Sequence, residues 1–187
     1  VASVLDPSGW RPAAGYYHLM LQPASDLFES EGTQGLIRRV AGMLHSCAAA
    51  LILLGDHSSA AWVFSKLQQH PGFSGTAPLE TWEKPHAYGE YLSAPVVDAI
   101  TADLKSENNQ IQQEAYQLLS SMGRGVLPML INMVKREENL RVRRLAADLI
   151  GQMGPTGEEE IKRALMSESR PEDRARMLDV IDSVTSD

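Results

Sequence analysis

The stretch that decides the fold is Asn139–Gly154, which reads NLRVRRLAADLIGQMG. Its apolar side chains recur at the spacing of one helix face, at Val142, Ala146, Leu149, Ile150 and Met153. Asn139 is a favoured N-cap residue, because its side chain can accept from the first free N–H groups of a helix. Gly154 followed by Pro155 is a typical stop signal. The stretch therefore predicts an amphipathic helix over 140–153.

The same pattern recurs every 31 residues, upstream in Ile111–Met122 and downstream in Asp173–Val184. When the three segments are aligned, five of the twelve columns are apolar in every copy. These columns contain Ala115, Ala146 and Met177; Tyr116, Ala147 and Leu178; Leu118, Leu149 and Val180; Leu119, Ile150 and Ile181; and Met122, Met153 and Val184. Gly123 and Gly154 also coincide. A period of 20–50 residues indicates stacked structural repeats.

Each repeat is predicted to contain two helices. Val126–Lys135 forms the first helix of the middle unit, with Pro128 in the first turn, where a missing N–H costs nothing. The other predicted helices cover Asn109–Met122, Glu158–Met166 after a start at Thr156 or Gly157, and Pro171 to about Val184. One helical hairpin cannot bury its apolar face alone, but stacked hairpins bury a continuous core. We therefore predict an all-α fold with two and a half to three hairpins in residues 95–185.

The quoted stretch resembles the second helix of a HEAT repeat, in the short bacterial form also called phycobilisome-lyase-like. The shared features are a Val-Arg pair, a small-residue pair and a closing Leu-Gly-x-x-Gly, here Val142-Arg143, Ala146-Ala147 and Ile150-Gly151 with Gly154. The flanking units depart from this pattern, with Gln112 at the Arg position and Asp182 at the first Gly. The resemblance implies a right-handed α-solenoid over residues 95–185 and the role of an interaction scaffold.

Residues 1–94 are predicted to form an N-terminal cap on these repeats, residues 95–187. Thr33 is expected to cap a helix that ends at Leu54, and a second helix covers about Ser58–Gln69. The run from Leu54 to Pro71 is similar to a single tetratricopeptide unit, but it also fits a degenerate capping hairpin. Residues 1–32 are expected to be irregular, with 16–21 as a strand or as a segment lying flat on the helices.

An aromatic-rich loop is predicted at residues 71–94, where Pro and Gly interrupt any periodic pattern. It carries Trp82, His86, Tyr88 and Tyr91. These side chains could form a recognition lobe beside the solenoid. They could also simply pin the loop over a helix face, because aromatic side chains bring large apolar areas that favour burial.

The composition and charge of the chain argue against several classes of function. The 187 residues carry a net charge of −7, whereas general nucleic-acid binders show a basic excess. The longest apolar run, 47–54, is far shorter than the roughly 20 residues that span a bilayer, and no secretory signal is visible, so we expect a cytoplasmic protein. The single cysteine, Cys47, lies among Ala and Leu and is expected to be a buried, inert thiol.

No catalytic, metal or cofactor site is predicted. The five His residues show no H-E-x-x-H or paired Cys/His spacing, and no nucleophile motif or phosphate-binding Gly-rich loop is present. An enzyme of the lyase type, or an accessory of such an enzyme, is suggested only by the family name, and a shared fold does not carry chemistry.

The candidate binding residues lie on the outward stripe of the second helices. They are Gln113, Gln117, Arg141, Arg144 and Asp148. This mosaic suits a protein partner or another domain of the parent chain. The alternative is nucleic-acid binding through the basic cluster of 136–144 and 170–176, since phosphate contacts need such arrays. Acidic residues interleave with that cluster, so ion pairs such as one from Arg143 to a neighbouring carboxylate are the simpler interpretation.

Overall fold

The computed structural model describes residues 17, 19–26, 34–69 and 92–185. These residues are helical with short connections, and no strand occurs among them, which confirms the all-α prediction. Thr33 and the predicted aromatic-rich loop up to Tyr91 lie outside the described residues. Contacts divide the described chain into two units, one containing residues up to 69 together with 92–99, and one containing residues 100–185.

The first unit contains a helix at 19–26 (α1), followed by α2 (Gln34–Leu53) and α3 (His57–Gln69), which pack against each other. Gly55 adopts a φ of +75°, and its N–H donates to the Ile52 carbonyl at 2.9 Å, closing α2. The two helices predicted for this hairpin are confirmed, and the bounds of α2 and α3 differ from the predicted bounds by at most one residue. The prediction of irregular structure was wrong at 19–26, and so was the strand alternative at 19–21.

The second unit contains the end of α4 and five further α-helices within the described residues. In chain order they are α4 (Ala94–Leu104), α5 (Asn109–Ser121), α6 (Leu127–Arg136), α7 (Leu140–Gln152), α8 (Pro155–Ser167) and α9 (Pro171–Thr185). Helices α5, α7 and α9 begin 31 residues apart, as the repeat predicts. Helix α6 packs against α7 and also against α8 and α9, while α7 contacts both α5 and α9. This arrangement of packed helices is compatible with a helical repeat protein.

Equivalent residues begin and end the repeated helices. The side chains of Asn108 and Asn139 each accept from the N–H two residues further on, at 2.9 Å, and so cap α5 and α7. Gly123 and Gly154 follow these helices with φ of +57° and +58°. A residue without a Cβ tolerates this backbone region, so the paired glycines in the sequence mark paired helix ends.

Helix α8 begins earlier than the sequence suggests. It starts at Pro155, whose missing N–H is harmless in a first turn, so Gly157 lies inside the helix rather than before it. Gly157 is buried against α7: a Cβ there would lie 2.2 Å from the Ile150 carbonyl oxygen. The sequence predicts a helix start at Thr156 or Gly157, whereas Gly157 lies inside α8 and permits close approach between two helices.

The aligned apolar columns form the core of the second unit. Two columns are buried in all three copies, those of Ala115, Ala146 and Met177 and of Leu118, Leu149 and Val180. In the column of Tyr116, Ala147 and Leu178, burial is incomplete, and Leu178 is 45% exposed. Equivalent positions therefore supply a shared seam of aliphatic side chains, which weakens at the last helix.

Candidate partner-binding face

Five predicted contact residues lie on the exposed faces of two helices that touch each other. Gln113 and Gln117 are exposed on α5, and Arg141, Arg144 and Asp148 are exposed on α7. Gln113 and Arg144 occupy equivalent repeat positions, as do Gln117 and Asp148. Among the described residues, the side chains of Gln113, Gln117, Arg144 and Asp148 enter no hydrogen bond or ion pair within the chain. We call these four residues the open face.

The Arg141 side chain is hydrogen-bonded to other residues of the chain. One of its guanidinium nitrogens, Nη2, donates to Gln112 Oε1 and lies 3.5 Å from Asn109 Oδ1, so it links α7 back to α5. Gln112 is buried, and its amide nitrogen donates at 2.7 Å to the carbonyl of Leu104 at the end of α4. Arg141 therefore helps to join neighbouring helices, a role that the spacing along one helix did not reveal.

Other basic residues of the predicted cluster are also bonded within the chain. Arg143 donates to the Glu137 carbonyl at 3.0 Å, so its partner is a backbone oxygen rather than the expected carboxylate. Arg176 donates to the Lys135 carbonyl at 2.6 Å, and the Lys135 ammonium pairs with Glu168. Three arginines of this cluster, Arg141, Arg143 and Arg176, therefore make hydrogen bonds within the second unit.

A ladder of loop ion pairs, which sequence analysis missed, joins successive hairpins. Lys105 Nζ lies 2.9 Å from Glu137 Oε2, and Lys135 pairs in the same way with Glu168. The second carboxylate oxygen accepts backbone N–H groups two residues on, from Asn139 and from Arg170. The 31-residue spacing of Glu137 and Glu168 was the signal that could have revealed the ladder.

These contacts alter the acidity of both carboxyl groups. Hydrogen bonds from Lys135 and from the Arg170 N–H lower the pKa of Glu168 to about 2. At Glu137, partial burial acts to raise the pKa, but the Asn139 N–H and Lys105 outweigh it, and the pKa is lowered. Both carboxylates are therefore stabilised in the charged form by the folded chain.

Cys47 and the two described histidines of the first unit, His45 and His57, are buried. Burial raises the pKa of the Cys47 thiol, as expected for an inert side chain. The His45 ring meets Phe64 edge-on, with 5.9 Å between ring centroids, and its Nδ1 lies 2.8 Å from the Ala41 carbonyl. His57 is also buried. No cluster of three His, Cys, Asp or Glu side chains suited to a metal ion occurs within the described segments.

An open groove of about 400 Å³ lies in the first unit. It is lined by Leu21 and Gln22 of α1 and by Ser58, Ser59 and Trp62 of α3. The Lys66 ammonium lies 5.8 Å from the centroid of the Trp62 ring. None of the helices described is both long enough and apolar enough to cross a bilayer.

Comparisons of the chain with protein-family models, with curated proteins and with solved structures find no match.

Proposed function

We propose that the second unit is a HEAT-like right-handed α-solenoid whose open face binds a protein partner or another domain of the parent chain, without catalysis. The observation that carries this proposal is the equivalence of the exposed positions. Gln113 matches Arg144 and Gln117 matches Asp148, on helices that begin 31 residues apart and contact each other. A regular row of polar side chains beside a continuous core is how helical repeats present an extended binding surface.

A protein partner fits this face better than a nucleic acid. Lys135, Arg143 and Arg176 are bonded to carboxylate or carbonyl groups of the chain. The open face offers one cation, Arg144, beside an anion and two amides. Phosphate recognition draws on several free cations at once, and the protein carries a net charge of −7.

Site-specific photo-crosslinking tests the proposal. A photoreactive phenylalanine analogue at Gln113 or at Arg144 is expected to give discrete adducts in extracts of the source cell. The matched control places the same analogue at Glu159, which is exposed on α8 and lies off the open face. In the protein that carries the analogue in place of Gln113, Arg144→Glu should reduce the yield of the adduct. The reason is that this change reverses the charge of the one cation on the open face.

Equal adducts at Glu159, or none at Gln113 and Arg144, would contradict the proposed face. Arg144 is a better site for charge reversal than Arg141, because Arg141 also bonds to Gln112 and its loss would disturb the fold. A gel-shift titration with duplex DNA separates the alternative. Binding that weakens steeply with salt would favour nucleic acid over a protein partner.

A further inference from the structure

Among the described side chains, the hairpin α8–α9 has fewer buried apolar residues than the hairpin α6–α7 before it. Helix α6 buries six side chains, whereas the buried residues of α8 are Gly157 and Ile161. Of the described side chains of α9, those that are apolar and buried are Met177 and Val180. Apolar burial is the main favourable term in packing, so α8–α9 is held less firmly by its core.

Some buried apolar positions of α6 are occupied by charged residues at the equivalent repeat positions of α8. Met129 and Ile131 of α6 are buried, and the residues 31 positions later in α8 are Glu160 and Lys162. Lys162 pairs with Glu158 and Arg163 pairs with Glu160, along the same helix. Such exposed pairs within one helix contribute little to docking on its neighbours.

Polar bonds at Lys135 of α6 also hold the hairpin α8–α9 in place. Its ammonium pairs with Glu168 in the loop between α8 and α9, and its carbonyl accepts from Arg176 of α9. The side chains of Lys135 and Glu168 are only 19% and 11% exposed, so water screens the pair less than a surface pair. Both of these bonds cross from α6 to the last hairpin, and we call them the Lys135 contact.

We propose that α8–α9 undocks as one unit before the rest of the second unit unfolds, and that the Lys135 contact controls how often it does so. In helical repeats each hairpin is stabilised mainly by its contacts with neighbouring hairpins, so the hairpin with the fewest buried apolar contacts opens at the lowest free energy. Opening uncovers the apolar surface that α6 and α7 bury against α8 and α9. This inference does not depend on what the open face binds.

Hydrogen exchange followed by mass spectrometry at pH 7 tests the inference on the full chain. Amides of 155–185 are expected to exchange faster than those of 127–152, with a common opening rate. Glu168→Gln keeps an oxygen for the Ser169 and Arg170 N–H groups but removes the charge that pairs with Lys135. It should speed exchange in 155–185 by about threefold or more, with 127–152 unchanged.

Arg176→Gln, which removes the second bond of the Lys135 contact, should act in the same direction. The control is Glu159→Gln on the exposed side of α8, which should alter neither segment. Equal protection of the two segments in the wild-type protein would overturn the inference, because it means a single cooperative unit. Acceleration of both segments together by Glu168→Gln would do the same, and unchanged exchange in both Lys135-contact variants would remove that contact from the mechanism.

Discussion

At Gly157, the absence of a side chain lets the backbone of α8 approach the carbonyl of Ile150 in α7. The pattern of apolar residues in α8 gives no sign of this contact, because the requirement comes from the neighbouring helix. A glycine that looks like a local helix break can therefore be a packing residue. Its replacement tests the position of α8 directly.

Gly157→Ala is expected to destabilise the second unit by about 1–3 kcal/mol, because the new Cβ meets a backbone oxygen that cannot rotate away. The control is Gly42→Ala in α2, where an added Cβ meets no atom within 4 Å. That change should stabilise α2 by about 0.5–1 kcal/mol, through the higher helix propensity of Ala. Urea unfolding of both variants measures the difference, and a neutral Gly157→Ala would mean that α8 lies elsewhere.

The ladder of loop ion pairs joins each hairpin to the next one along the chain. One carboxylate oxygen of Glu168 accepts from the Arg170 N–H within its own loop. The other oxygen pairs with Lys135 of the preceding hairpin. The contact joins two ordinary charged residues, Lys135 in the last turn of α6 and Glu168 in the loop after α8. The sequence predicts the helix that follows each loop, because caps act locally, but it does not predict which residue of the preceding hairpin pairs with the loop carboxylate.

Glu168 should make stability depend on pH in the acid range. Its pKa falls from 4.5 in the unfolded chain to about 2 in the fold, so its contribution is complete above about pH 4.5 and is lost as the pH falls towards 2. The free energy of unfolding of the wild type should therefore exceed that of Glu168→Gln at pH 7. The gap should shrink on acidification, in urea titrations carried down to the pH at which the wild type unfolds.

Glu159→Gln serves as the control for that titration, because the Glu159 side chain is exposed on α8 and makes no hydrogen bond or ion pair among the described residues. It should follow the wild-type curve throughout. A gap between wild type and Glu168→Gln that stays constant from pH 7 to the acid limit would contradict the role given to the Lys135–Glu168 pair.

At the scale of the second unit, the buried columns link α5, α7 and α9 into one seam. Leu118, Leu149 and Val180 occupy the same repeat position and are all buried. A change in the middle of such a seam disturbs contacts on both sides, because each hairpin rests on its neighbours.

Leu149→Ala is expected to destabilise the second unit by about 2–5 kcal/mol, through lost apolar burial and the cavity left behind. Leu140→Ala in the same helix is the matched control, since Leu140 is 51% exposed and its truncation should cost less than about 0.5 kcal/mol. Thermal melts and hydrogen exchange of 109–152 report the effect. Equal losses in the two variants would show that the seam does not hold the unit together.

The sequence by itself determined the helix pattern of this chain. Periodicity placed Leu149 and its equivalents inside, and Asn139 with Gly154 set the ends of α7, because these preferences act over one or two helical turns. Only the tertiary structure decided which polar groups remain available. Arg141 and Gln112 are 29 residues apart, and Arg176 donates to a carbonyl 41 residues away. No local pattern could therefore reveal that these two cations are already hydrogen-bonded within the chain.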